Sequence, residues 1–217
     1  MPDSAAAAAA TRRREIRVDL QRIADMVPAR CRLLDIGCGD GALLDYLIHE
    51  KGVDGRGIEI SVAGVNTCIT HGLSVIQGDA DTDLDDYPDA AFDMVVLSQT
   101  LQAMRNPRKV LVNLMRIGKK AVVSFPNFGY WRVRVGLLFL GNMPITKALP
   151  YQWYDTPNIH QCTIKDFVRL ADELGITIER SIALNRTEQV RRIGCSTFLA
   201  NMMGEQALFL LSKPSND

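Results

Sequence analysis

Two hydrophobic rhythms divide this chain. Short, nearly unbroken apolar runs occur at Leu33–Ile36, Gly57–Ile60, Leu73–Ile76, Phe92–Leu97 and Ala121–Phe125. Runs of that length are expected of parallel strands covered on both faces. Between them, apolar positions recur at three- and four-residue steps, the spacing of amphipathic helices. Ile16, Leu20, Ile23 and Val27 mark one helix ending at Pro28, and Leu43, Leu44, Leu47 and Ile48 mark another. Ser61 is placed to cap a third helix that Gly72 ends, and Asn106-Pro107 opens a fourth carrying Val110, Leu111, Leu114 and Met115. A fifth runs from Thr163 to Gly175. Ile176–Ile182 and Gln206–Leu211 read as a final antiparallel pair, and Asn185 to Ala200 between them as an ambiguous, loop-like stretch. The alternation predicts an α/β fold, one doubly wound and mostly parallel sheet of seven strands with crossover helices.

The turn after the first strand carries the chemistry. Asp35-Ile36-Gly37-Cys38-Gly39-Asp40-Gly41 places glycines at alternate positions between a strand and a helix. Glycine lets a backbone turn tightly and bring its N–H groups against a ligand. An ordinary strand-to-helix turn is the plain alternative. The same residues satisfy the loose dinucleotide pattern, with Glu59 at the ribose-binding distance. Charge argues against a dinucleotide: from Leu33 to Glu59 stand six carboxylates and only two cations, Lys51 and Arg56. A pyrophosphate is poorly placed beside Asp35 and Asp40. S-adenosylmethionine (SAM) has no phosphate and carries a sulfonium and an ammonium, which acidic groups in a dry cleft favour. The stretch resembles motif I of the class I SAM-dependent methyltransferases.

A cofactor site follows from the strand ends. Asp35, Gly37, Cys38, Gly39 and Asp40 form its loop. Glu59, with Ile60 beside it, ends the second strand, where two carboxylate oxygens suit two ribose hydroxyls. The methyltransferase resemblance implies that Asp79, followed by Ala80, binds the adenine amino group. Ser98 leaves the carboxyl end of the central strand, where ligands of open α/β sheets sit.

Zero net charge over 217 residues conceals segregation. Residues 35–93 hold thirteen carboxylates against two cations, whereas residues 94–154 hold nine cations and no Asp or Glu. The first half suits a cationic cofactor, and the second an anionic substrate or acidic partner. Solvated helix faces are the alternative, and the acidic run Asp81–Asp89 reads as a solvated loop. No basic domain or nucleic-acid motif is present. No apolar run is long enough to span a bilayer. The alanine-rich start, residues 1–11, reads as a disordered tail before a single domain over 12–217. Five cysteines without C-x-x-C spacing suggest reduced thiols in a cytoplasmic protein, with no metal site.

Residues 126–162 form a helical and aromatic insertion after the fifth strand. Eight of the fourteen aromatic residues fall within 125–154, beside Arg132 and Arg134. A lid, a docking surface and simple packing are all open readings. His160 is a candidate general base and Tyr154 a weaker catalytic candidate, although an orienting or structural histidine fits as well.

Four segments narrow the resemblance: Leu33–Leu44 (LLDIGCGDGALL), Val95–Pro107 (VVLSQTLQAMRNP), Ser124–Trp131 (SFPNFGYW) and Lys147–His160 (KALPYQWYDTPNIH). Together they are similar to the methionine biosynthesis protein MetW family. That resemblance implies SAM or S-adenosylhomocysteine as ligand and the homoserine O-acyltransferase MetX as the partner it supports. An active methyltransferase on a small anionic metabolite is the alternative, and a dinucleotide oxidoreductase a third reading. Fold does not decide between them.

Overall fold

The computed structural model describes residues 16–146, 148–185, 190–193 and 197–214. The tail expected over residues 1–11, Lys147 and Cys195 lie outside the described residues.

The expected strands assemble into one sheet. In chain order the elements are α1 (Val18–Ala24), β1 (Arg32–Ile36), α2 (Ala42–Lys51), β2 (Asp54–Glu59), α3 (Val62–Thr70), β3 (Val75–Gln77) and β4 (Phe92–Ser98). They continue as α4 (Pro107–Ile117), β5 (Gly118–Pro126), α5 (Trp131–Val135), α6 (Ile164–Glu173), β6 (Thr177–Leu184), β7 (Val190–Arg192), α7 (Thr197–Met203) and β8 (Gln206–Ser212). The strand order is β3-β2-β1-β4-β5-β8-β6-β7, with β3 to β5 mutually parallel and β8 antiparallel to both β5 and β6. The seven strands read from the sequence are present. An eighth, β7, pairs with β6 along the edge inside the stretch read as loop-like. Strand β7 and the start of helix α7 therefore replace part of that expected loop. Because connections leave β1 and β4 in opposite directions, a crevice opens at their carboxyl ends.

Both faces of the sheet are covered. Leu20, Ile23, Leu43, Leu47, Val65 and Cys68 of α1, α2 and α3 pack on one side. On the other side α4 and α6 pack, and the rings of Phe125, Phe167 and Phe209 cluster with centroids 4.5–5.9 Å apart. The local signals behave as expected: Ser61 accepts from Gly64 N–H, Asn106 caps α4 ahead of Pro107, and Thr163 accepts from Asp166 N–H.

Charge segregation in sequence becomes pairing in space. Asp85 takes Lys109, Asp89 takes Arg116, Asp93 takes Lys119 and Glu179 takes Lys120. Arg105 pairs with Asp79 and Arg108 with Glu173. Arg134 donates to the Gly129 carbonyl, and Arg132 lies over the Trp131 ring. The acidic run, with one 3-10 turn at Asp83–Asp86, stays largely exposed while Asp85 and Asp89 carry these pairs. Asp81 also accepts the backbone N–H groups of Arg105 and Asn106, at 2.9 and 3.0 Å. Exposed ion pairs contribute little to stability. Their consequence is electrostatic: most of the cationic block is spent inside the molecule.

Candidate functional site

The glycine loop is held from behind. Gly37 N–H donates to the Ile58 carbonyl at 2.8 Å, and Gly41 N–H to the Cys38 carbonyl at 2.9 Å. Glu59, buried at the end of β2, accepts Gly39 N–H through Oε2 and Ser61 N–H through Oε1, each at 2.8 Å. Its carboxylate thus clasps the loop to the second strand. Each oxygen retains a further lone pair.

Two of the loop glycines meet structural demands. Gly39 has φ +60° and open space where a Cβ would stand, so a side chain there would occupy the cleft. Gly41 has φ +80°, and a Cβ would lie 2.4 Å from Leu73 Cδ1 and 2.9 Å from Cys68 Sγ. Gly41→Ala is therefore expected to cost about 2 kcal/mol through backbone strain and overpacking. A urea midpoint unchanged from that of the parent protein would contradict this.

In front of the loop lies a cleft of about 340 Å³. Asp35, Gly37, Cys38, Gly39, Asp40 and Ser98 all line it, and Ile16 and Leu20 cover it from the amino-terminal side. Sequence reasoning thus placed six residues around one cavity. Glu59 stands behind the loop. Ile60 is 63% exposed, and Ala80 is buried outside the cleft lining. Asp79 is engaged by Arg105 Nη2 at 3.2 Å and by Asp81 N–H at 2.9 Å.

Asp35 sets the electrostatics. It is 2% exposed, and its Oδ1 has no hydrogen-bond partner among the described residues. Burial, and then the charge of Glu59, push its carboxyl up to about 7. Burial likewise raises the Cys38 thiol, reinforced by Asp35, so this cysteine is no thiolate nucleophile. An orphaned carboxylate oxygen in a glycine-lined cleft is the feature that a cationic ligand would satisfy.

A second cavity of about 510 Å³ adjoins the first, and Ile16, Arg17 and Gln99 line both. Gln99 has φ +54°, held there by its N–H bonds to the Ser124 carbonyl at 3.0 Å and Oγ at 3.1 Å. Non-glycine residues in that region cost about 1–3 kcal/mol and cluster at binding sites. Gln102, 4% exposed, donates from Nε2 to the Gln99 carbonyl at 2.6 Å. Its own carbonyl accepts from Ile159 and His160 N–H. Gln99 Nε2 and Gln102 Oε1 are buried with no partner among the described residues. Both glutamines lie in the SQTLQ segment, whose sequence specificity was the available signal for them.

The two catalytic candidates stand elsewhere. His160 is exposed, its Nε2 3.4 Å from the Arg105 carbonyl. Tyr154 is 69% exposed, edge-on to Trp153. Neither lines either cavity.

A parallel sheet of this strand order, with a glycine loop closing β1 onto an acidic crevice, defines a methyltransferase-type fold of class I. Solved structures agree on the fold. A SAM-dependent methyltransferase from Mesorhizobium loti superimposes with TM-score 0.67 at 17% identity, covering 90% of this chain and 97% of that one. One from Thermotoga maritima gives 0.66 at 17%, covering 90% and 87%. The [4+2]-cyclase SpnF gives 0.62 at 19%, covering 89% and 81%.

The chain belongs to the MetW family: the family model "Methionine biosynthesis protein MetW" matches residues 17–211. A relative from Rhodopirellula baltica, "Bifunctional methionine biosynthesis protein MetXA/MetW", is 31% identical over 176 residues. That match covers 77% of this chain but only 28% of the relative's length.

Proposed function

We propose that this protein binds SAM or S-adenosylhomocysteine in the acidic cleft and serves methionine biosynthesis as an activating partner of a homoserine O-acyltransferase. The observation that carries the ligand assignment is Asp35, a buried carboxyl with one oxygen unsatisfied on a glycine-lined cavity. Asp35 and Asp40 would face the cationic end of the ligand, the Gly37–Gly39 backbone would lie against it, and Ile16 and Leu20 would exclude water. SAM, when bound, supplies an electrophilic methyl group. Glu59 holds the loop in shape from behind.

Support for the partner comes from the R. baltica relative, whose name joins MetXA and MetW in one polypeptide. A non-covalent association is the counterpart proposed here. The docking surface we assign to it is the segment 127–162, where Leu138, Phe139, Leu140 and Trp153 are each more than 70% exposed. Exposed apolar groups in such numbers mark interaction surfaces. Apolar contact carries this docking; of the described arginines beside it, Arg134 donates to the Gly129 carbonyl and Arg132 lies over the Trp131 ring.

Calorimetry is expected to show saturable binding of SAM and S-adenosylhomocysteine and none of NADH. The acyltransferase, purified with and without this protein, is expected to be markedly more active with it. Equal activity in both preparations would end the partner assignment, and blank titrations the ligand assignment. The adjoining second cavity favours one other reading, methyl transfer to a small acceptor. Labelled SAM incubated with cell extract would then yield a labelled small molecule. That the fold does not dictate methyl transfer is clear from its presence in a cyclase.

A further inference from the structure

We infer that the larger cavity binds a free α-amino acid, as a ligand separate from the adenosyl compound. This goes beyond the cofactor assignment: Gln102 and Glu205 line this cavity and not the cofactor cleft, whereas Arg17 and Gln99 line both. The cavity, about 510 Å³, falls within the size range of small-molecule sites. What it lacks internally defines what it would take. Glu205 is 6% exposed, lines this cavity, and its carboxylate has no hydrogen-bond or ion-pair partner among the described residues. Gln102 Oε1 is a buried acceptor with no donor among the described residues. The orientation of that amide is set by its Nε2, which donates to the Gln99 carbonyl, so the free atom is the oxygen. Two such acceptors, one charged, call for a group with several N–H donors and a positive charge. A primary ammonium meets both conditions.

The opposite demand comes from Gln99 Nε2, a buried donor without an acceptor. Arg17 lines the cavity as well, and its ion pair with Asp19 uses Nε and Nη2, leaving Nη1 available. These donors suit a carboxylate. Ammonium and carboxylate in one small molecule make an α-amino acid zwitterion. Burying Gln99 Nε2 and Gln102 Oε1 unsatisfied is costly in the empty protein, and a ligand that satisfies them recovers that cost.

The methionyl end of SAM presents the same zwitterion, so the test separates the two sources. The full chain is titrated with the protein L-amino acids, by thermal shift and calorimetry, with and without saturating S-adenosylhomocysteine. At least one free amino acid is expected to bind in both conditions. Its N-acetyl derivative, which cannot carry the ammonium charge, is expected to bind at least about tenfold more weakly, the scale of a lost charge-assisted hydrogen bond. Glu205→Gln is expected to weaken amino-acid binding by a similar factor and leave S-adenosylhomocysteine affinity unchanged. Should that variant not fold, the N-acetyl comparison on the parent chain still decides. Binding of no free amino acid, equal binding of the N-acetyl form, or competition with S-adenosylhomocysteine would each overturn the inference. A blank S-adenosylhomocysteine titration would defeat the cofactor assignment alone, because the amino-acid result is read without it.

Discussion

Asp35→Asn is expected to stabilise the ligand-free protein above pH 7 while weakening binding of SAM by about a hundredfold, the scale of losing a desolvated charge partner. Both changes come from the same buried oxygen. The folded state raises this carboxyl from its ordinary 3.8 to about 7, first by burial and then by the charge of Glu59. A raised carboxyl binds its proton more tightly in the native protein than in the unfolded chain. Between about pH 4 and 7 the native state therefore holds the extra proton, and stability falls as pH rises. The contribution is fully present below the unfolded value and lost as pH climbs through the folded one. The difference amounts to about 4 kcal/mol at most. Asparagine cannot ionise, so that loss disappears. Urea melts of both proteins at pH 5 and pH 8 provide the check, with the larger gap expected at pH 8. Parallel stability profiles would show that Asp35 ionises as it does in the unfolded chain. Sacrificing stability for a charged binding group is a common trade at functional sites.

Asn127→Leu is expected to destabilise the fold by about 4 kcal/mol or more, from several orphaned backbone groups at about 1–3 kcal/mol each. Asn127 is 1% exposed at the end of β5. Its Nδ2 donates to the carbonyls of Asn201 and Gly204, at 2.9 and 2.7 Å. Its Oδ1 accepts the N–H groups of Gly129 and Ile164, at 2.9 and 3.2 Å. All four bonds that an asparagine side chain can make are made. They tie the start of the 127–162 segment to the first turn of α6 and to the end of α7. Leucine has a similar volume, so the loss measures hydrogen bonding and not a cavity. An unfolding midpoint within experimental error of the parent would refute this account. Nothing in local periodicity marks Asn127. It stands in the SFPNFG segment, whose specificity was the only hint.

Most of the sheet was legible because a strand covered on both faces must be apolar throughout, and a crossover helix must be apolar on one side. Those are local requirements, written in consecutive residues. The glycine loop was legible for a similar reason: Gly39 and Gly41 sit at positive φ, and few other residues tolerate that conformation. Where partners are distant in sequence, the reading was incomplete. Glu59 stood at the spacing of a ribose ligand, and its two oxygens also hold Gly39 and Ser61, a role that nothing in the local sequence marks. His160 looked like a base near a cleft, and the chain carries it to the surface.

Sequence alone determined the layered α/β architecture, the acidic glycine loop and the six residues gathered at its mouth. These follow from side-chain periodicity and backbone freedom, which act over a few residues. Only the tertiary structure decided what the charges do. Four carboxylates of the acidic stretch, Asp79, Asp85, Asp89 and Asp93, fold against cations of the basic stretch as ion pairs, while Asp35 and Asp40 stay at the cleft. It also showed which polar atoms are left over. Asp35 Oδ1, Gln99 Nε2 and Gln102 Oε1 become distinctive only once their neighbours are in place and none among the described residues satisfies them. A hydrogen bond depends on distance in space, and residues remote in the chain set that distance.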